Sequence, residues 1–141
     1  MNHLELGLSL VRVGGALHFV QIPAMLTLAW VVRRRGLAAQ VPEPVRRILA
    51  VLGGGIVLLV LPGGVASGLL PAGLLQTPFG CGYLATWCAF WAYRLLAQVV
   101  VYGPLVPTGG ALAHRFLVCV FVAKTACYGL ALLCFWQLVA V

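Results

Sequence analysis

The sequence predicts an all-α fold, an integral membrane bundle of four transmembrane helices, on three observations. Hydrophobic residues make up 63% of the 141 residues and charged residues only 8%, whereas a soluble domain is about 45–50% apolar and about 25% charged. The apolar residues fall into four runs, each near the roughly 20 residues a helix needs to cross a bilayer. Backbone in hydrocarbon must satisfy its own hydrogen bonds, and at this length and composition only helices do so. The four runs use most of the chain, so residues 1–141 form a single domain with short loops and almost no tails.

The first predicted span covers about residues 6–32. Its apolar stretch is too long for a cleaved signal peptide, and no basic segment precedes it. A basic loop follows, with Arg33, Arg34, Arg35, Arg46 and Arg47. Within it, Pro42-Glu43-Pro44 ends one helix and opens the next, since proline fits the first turn where its missing N–H is no loss. The second span, about 48–70, carries Gly53-Gly54-Gly55 and Pro62-Gly63-Gly64, which suit close helix contact or a kink. The connection from Pro71 to Phe79 has no charge. The third span runs over about 80–102. Gly103-Pro104 and Pro107-Thr108-Gly109-Gly110 make the next turn, and Arg115 stands at the start of the fourth span, about 112–139. The positive-inside bias places the two basic loops in the cytoplasm and both tails on the outer, periplasmic side of a bacterial inner membrane. Trp30, Trp87 and Trp136 read as interfacial anchors.

Net charge is +7, but the basic residues sit in one loop and within spans, not in an extended patch with aromatics, so nucleic acid is excluded as a partner. Soluble-enzyme motifs are absent: no phosphate-cradling glycine loop, no Gly-x-Ser-x-Gly and no His-Glu-x-x-His. Cys81, Cys88, Cys119, Cys127 and Cys134 contain no Cys-x-x-Cys pair, which excludes a dithiol redox motif and a structural zinc site. All five read as small buried hydrophobes.

The informative residues are polar ones inside the spans. Gly14, His18, Gln21 and Met25 recur at helical spacing on one stripe of the first span. Tyr83, Trp87, Trp91, Arg94 and Gln98 do so in the third, with Tyr102 beside them. His114, Leu117, Phe121, Lys124, Tyr128 and Phe135 form the stripe of the fourth. Polar stripes face the interior of a bundle because lipid does not solvate them. At about 1.5 Å rise per residue, Arg94 lies roughly 12–14 Å from the cytoplasmic end, Lys124 roughly 15–18 Å, Gln21 roughly 16–18 Å and His18 roughly 20 Å. Those four meet near the midplane, whereas His114, about 3 Å in, belongs to the rim.

The whole chain has two carboxylates, Glu5 and Glu43, and both fall at span ends. Two midplane cations without an internal counter-ion point to a site that receives an anionic group. Arg12 reads instead as a snorkelled residue or a local partner of Glu5. For His18 two roles stay open: a hydrogen bond between helices, or a ligand to a heme with a weak, absent or non-histidine second ligand. A bis-histidine heme with His114 is hard to build, since its two ligands must face each other at one depth.

The runs Ala16-Leu17-His18-Phe19-Val20-Gln21-Ile22-Pro23-Ala24-Met25 and Phe90-Trp91-Ala92-Tyr93-Arg94-Leu95-Leu96-Ala97-Gln98, with Tyr102, resemble an uncharacterised family of small four-span bacterial membrane proteins. The layout of a Leu-His pair in span one, a basic loop and a glycine-rich second span also resembles the heme-dependent protoporphyrinogen oxidase membrane family and copper-resistance membrane domains. The aromatic-Pro-Arg segment of that oxidase family is absent here. The expected function is an accessory or ligand-binding membrane subunit with a midplane site formed by His18, Gln21, Trp91, Arg94, Gln98, Lys124 and Tyr128. Its expected ligand is anionic or redox-active, with heme b or a quinone as candidate cofactor. Its surroundings are the lipid bilayer and other membrane subunits or further copies of itself. The alternatives are a heme-dependent oxidoreductase acting on a tetrapyrrole or quinone, and a small anion or proton transporter.

Overall fold

A computed structural model describes residues 2–34, 36, 42–102 and 111–139. Five helices follow in order: α1 (His3–Arg34), α2 (Glu43–Leu69), the short α3 (Pro71–Gln76), α4 (Pro78–Ala97) and α5 (Ala111–Val139), with α4 running on into a π-helical turn at Gln98–Tyr102. No strand occurs among the described residues. Arg35 and the turn at 103–110 lie outside them, as do the side chains of Arg33 and Tyr102.

Local chemistry sets each helix start. Asn2 caps α1: its Oδ1 accepts from the Glu5 N–H at 2.8 Å while Glu5 Oε2 accepts from the Asn2 N–H at 3.3 Å, a reciprocal capping box. Glu5 is therefore engaged at the cap. Pro42 and Pro44 flank the start of α2, where Glu43 forms an ion pair with Arg47 one turn on. Neither carboxylate pairs with Lys124 or Arg94.

The uncharged connection from Pro71 to Phe79 is itself structured. Pro71 opens α3, and Pro78 opens α4 behind Thr77. The Thr77 hydroxyl donates to the Gly73 carbonyl at 2.7 Å and accepts from the Gly80 N–H at 3.1 Å, so it locks the end of α3 to the first turn of α4. The first turn of α4 lies directly on the Leu74 backbone at Gly80, leaving no room for a Cβ there. Leu74 and Leu75 then close that end of the bundle, with Leu75 against Gly7 of α1.

α5 packs between α1 and α4, and α1 packs on α2. The α1–α2 seam is tight where glycines face each other: a Cβ on Gly15 would lie 2.8 Å from the Ser67 Cβ, and one on Gly64 would lie 3.0 Å from the His18 Cβ. Among the described residues nothing lies within 4 Å of a Cβ placed on Gly53, Gly54 or Gly55, so of the two expectations, close contact or a kink, the described neighbours show no close contact there. They belong to the half of α2 nearer the basic end, away from Gly63 and Gly64.

Polarity is distributed inside out. His18, Gln21, Ser67, Gln98 and Lys124 are buried, while Leu58, Leu69, Phe79 and Leu112 are among many large apolar side chains exposed on the outside. Among the described residues, two segments are long and apolar enough to cross a membrane, His3–Thr27 and His114–Val139. The apolar part of α2, Gly53–Leu69, is shorter, and α4 carries Arg94 and several Trp and Tyr residues that lower its mean hydropathy.

Two expectations change and a third narrows to one of its alternatives. Trp30 and Trp136 are exposed as expected of anchors, but Trp87 is buried in the core. It sits more than two turns inside α4, where its indole lies on Gly63 of α2. Of the cysteines, all free, Cys127 and Cys134 are buried and Cys81 and Cys88 half-buried, whereas Cys119 is exposed because it falls on the outer face of α5. Arg12 is exposed and forms no ion pair with Glu5.

Candidate functional site

The three polar stripes face one another. His18 and Gln21 on α1, Trp91 on α4 and Lys124 and Tyr128 on α5 are each fully buried. The Lys124 ammonium donates to Gln21 Oε1 and lies 3.7 Å from the centroid of the Trp91 ring. Gln21 in turn donates through Nε2 to Met25 Sδ at 3.1 Å. The counter-ion missing from the sequence is thus replaced by two neutral groups, an amide oxygen and the electron-rich face of an indole.

His18 is held from two directions. Its Nδ1 donates to the Gly14 carbonyl at 2.8 Å, because a carbonyl only accepts, and the other ring nitrogen of the neutral imidazole is then an acceptor. The imidazole stands edge-on to Trp87, Trp91 and Tyr128, with centroids at 4.8, 5.2 and 5.9 Å. Phe121, Trp91, Trp87 and Tyr128 form a column of near-parallel rings, with successive interplanar angles of 26°, 16° and 24°. Small residues make the space: a Cβ on Gly14 would lie 3.1 Å from the Tyr128 ring.

Beyond His18, toward α3, a chain of hydroxyls crosses three helices. Ser67 Oγ lies 2.8 Å from the Tyr128 hydroxyl and 3.1 Å from that of Tyr83, and Tyr83 donates to the Gly63 carbonyl at 2.7 Å. Ser67 and its bridge were not legible as a site in sequence; the available signal was a lone hydroxyl one turn after Gly63-Gly64. Trp87 belongs to the site as well, as the ring between His18 and Gly63.

Arg94 stands one turn from Trp91 toward the basic end, half-buried, with its guanidinium carbon 5.8 Å from the Phe121 ring. Gln98 is a further turn away and pairs through Nε2 with His114 Nδ1 at 2.9 Å, at the π-helical turn. Of the seven sequence-predicted site residues, five converge directly, Arg94 is adjacent, and Gln98 belongs to a separate pair with His114.

Among the described residues, three buried side-chain polar atoms lack a hydrogen-bond partner: His18 Nε2, Trp91 Nε1 and Arg94 Nε. Each such atom costs about 1–3 kcal/mol if left unpaired. A heme does not fit His18 as it stands. Its free nitrogen suits a metal, but the imidazole is fully buried with the rings of Trp87, Trp91 and Tyr128 packed around it. Among the described residues no three His, Cys, Asp or Glu side chains gather as a metal-binding group. Comparison with protein-family models, curated proteins and solved structures gave no match.

Proposed function

We propose that the chain is a four-span protein of a bacterial inner membrane, with both tails outside, that acts as an accessory or ligand-binding subunit. Its polar midplane site receives an anionic or redox-active group of a molecule or partner within the bilayer. The outward display of leucine, valine and phenylalanine around a polar interior supports the membrane assignment, since a water-soluble domain avoids large contiguous apolar surface. The basic residues flanking α1 and α2 support the orientation.

One observation carries the functional reading. A fully buried lysine has only an amide oxygen and an indole face for company, beside three buried polar atoms with no partner. A core built only for stability gains nothing from such groups, and ionisable residues at membrane depth mark binding sites and pathways. Lys124 and Arg94 supply positive charge, Trp91 an N–H donor and His18 an acceptor. The test is purification from the native membrane under mild detergent, followed by mass spectrometry of copurifying small molecules and proteins. Wild type retains a ligand or partner that Lys124→Leu and Arg94→Leu lose while still inserting as monodisperse protein. Equal retention by both variants refutes the reading.

A further inference from the structure

Lys124 has Gln21 and the face of Trp91 for partners, and Gln98 has His114, but among the described residues Arg94 makes no hydrogen bond and no ion pair. Its guanidinium carbon lies 5.8 Å from the centroid of the Phe121 ring. Only Nε is turned inward, and the two Nη nitrogens are not buried. Snorkelling does not account for this position. Helix α4 runs toward the basic end, and side chains on a helix tilt toward its N-terminus, so the Arg94 stem leans away from the nearer interface. The pairing of α4 with α5 shows the result: Lys124 lies over Trp91 and His114 meets Gln98, so a guanidinium beside Phe121 stays level with its own Cα. One reaching for the basic end would stand near Leu117 or His114 instead.

Under the membrane reading that guanidinium stands roughly 12–14 Å inside the cytoplasmic boundary of a hydrocarbon core about 30 Å thick. A cation at that depth needs an anion, and the two acidic side chains of the chain are engaged elsewhere, Glu5 at the α1 cap and Glu43 with Arg47. A second copy of the chain therefore brings no acidic side chain to this level. A phospholipid phosphate lies outside the hydrocarbon core, roughly the same 12–14 Å away. A carboxylate carried on a transmembrane helix arrives at the midplane already placed, and the Nη1 and Nη2 tips of a guanidinium take it by two parallel N–H···O bonds. The surface beside Arg94 suits such a helix: exposed Tyr93 and half-buried Phe90 and Ala97 recur at helical spacing along α4. We infer that this stripe of α4 is the docking face for a transmembrane helix of a different protein, whose aspartate or glutamate pairs with Arg94 at the midplane. The inference rests on the accessory-subunit reading above and names the chemistry of the partner.

The experiment reconstitutes the full chain in phosphatidylcholine vesicles with a synthetic single-span alanine-leucine helix carrying one central aspartate, and reads association by energy transfer between labels on the two. Control helices carry leucine or asparagine at the same position, or the aspartate moved two turns toward either end. Expected is saturable association with the central-aspartate helix, tighter than with each control by about tenfold or more, as loss of a charge-assisted bidentate contact requires. Arg94→Leu removes the preference, and Arg94→Glu shifts it to a helix with a central arginine, which separates lost pairing from lost fold. In native membranes, p-benzoylphenylalanine in place of Tyr93 should crosslink a protein whose capture depends on its own membrane-embedded aspartate or glutamate. Equal association of the aspartate and leucine helices, a preference that persists in Arg94→Leu, or crosslinking to a second copy of this chain alone overturns the inference. If a copurifying small molecule is lost in Lys124→Leu while the aspartate helix shows no preference, the docking face fails and the midplane reading stands. No preference together with equal retention in Lys124→Leu and Arg94→Leu sinks both.

Discussion

The pairing of Lys124 with Gln21 gives a quantitative test of how this core tolerates a cation. Gln21→Leu removes the amide oxygen that accepts from Lys124 and leaves the ammonium against the Trp91 face alone, at 3.7 Å from the ring centroid. A hydrogen bond to a charged group contributes about 1.5–3 kcal/mol, and the desolvated cation–π contact that survives contributes about 2 kcal/mol. The single substitution should therefore destabilise the bundle by about 2–3 kcal/mol. Lys124→Met keeps most of the volume and removes the charge, leaving Gln21 Oε1 buried without its donor at a cost of about 1–2 kcal/mol. The double variant removes both needs at once and should lie within about 1 kcal/mol of wild type, as apolar replacements of buried polar pairs commonly do. The resulting coupling is about 2 kcal/mol or more, above the roughly 0.6 kcal/mol average for hydrogen bonds between membrane helices. Equilibrium unfolding in mixed micelles, followed by helicity and tryptophan emission across the double-mutant cycle, measures it. A coupling below about 0.5 kcal/mol would show that Lys124 does not depend on Gln21 and would refute the account of a cation held by neutral partners.

Further predictions concern packing, hydroxyls and thiols. Gly15→Ala forces a Cβ to within 2.8 Å of Ser67 and 3.1 Å of the Gly64 carbonyl, so it should part α1 from α2 and lower stability by about 1–3 kcal/mol in the same unfolding assay. Gly54→Ala meets nothing within 4 Å and should be neutral or stabilising by up to about 1 kcal/mol, through helix propensity alone. Ser67→Ala strips the buried Tyr128 hydroxyl of its partner and should cost about 1–3 kcal/mol, most of it recovered in the double variant with Tyr128→Phe. Labelling with N-ethylmaleimide in mild detergent, read by mass spectrometry, should modify Cys119 first and leave Cys127 and Cys134 protected until the bundle unfolds.

The helices were legible in the sequence because apolar run length and proline placement are local signals. Predicted runs and observed helices differ by a few residues, mostly at ends where caps such as Asn2 with Glu5, or Thr77 with Pro78, extend the helix past its apolar stretch. Periodicity also carried the inward faces: every polar residue of the three stripes whose side chain is described is buried or half-buried. What periodicity does not carry is the partner across the seam. Trp87 was ambiguous between an anchor and a stripe residue, and the choice depended on Gly63 lying opposite it on another helix. Ser67 carried no pattern of its own, and its importance comes from two tyrosines brought to it by α4 and α5.

The same distinction explains why the glycines of α2 divide into two groups. Gly63 and Gly64 sit where α1 and α4 press Trp87, His18 and Phe19 onto the helix, so the absence of a Cβ is a packing requirement. Gly53, Gly54 and Gly55 have identical chemistry, yet among the described residues nothing lies within 4 Å of a Cβ placed on them. Composition alone therefore assigns a glycine run to close approach without saying to what. At the first site the approach is internal and sets the position of Trp87, which lines the cleft between α2 and α4 beside Gly63 and forms one side of the His18 enclosure. A change at Gly63 should accordingly alter the cleft and the packing of the imidazole together, and that shared dependence on one indole is what joins the outer α2–α4 seam to the polar core.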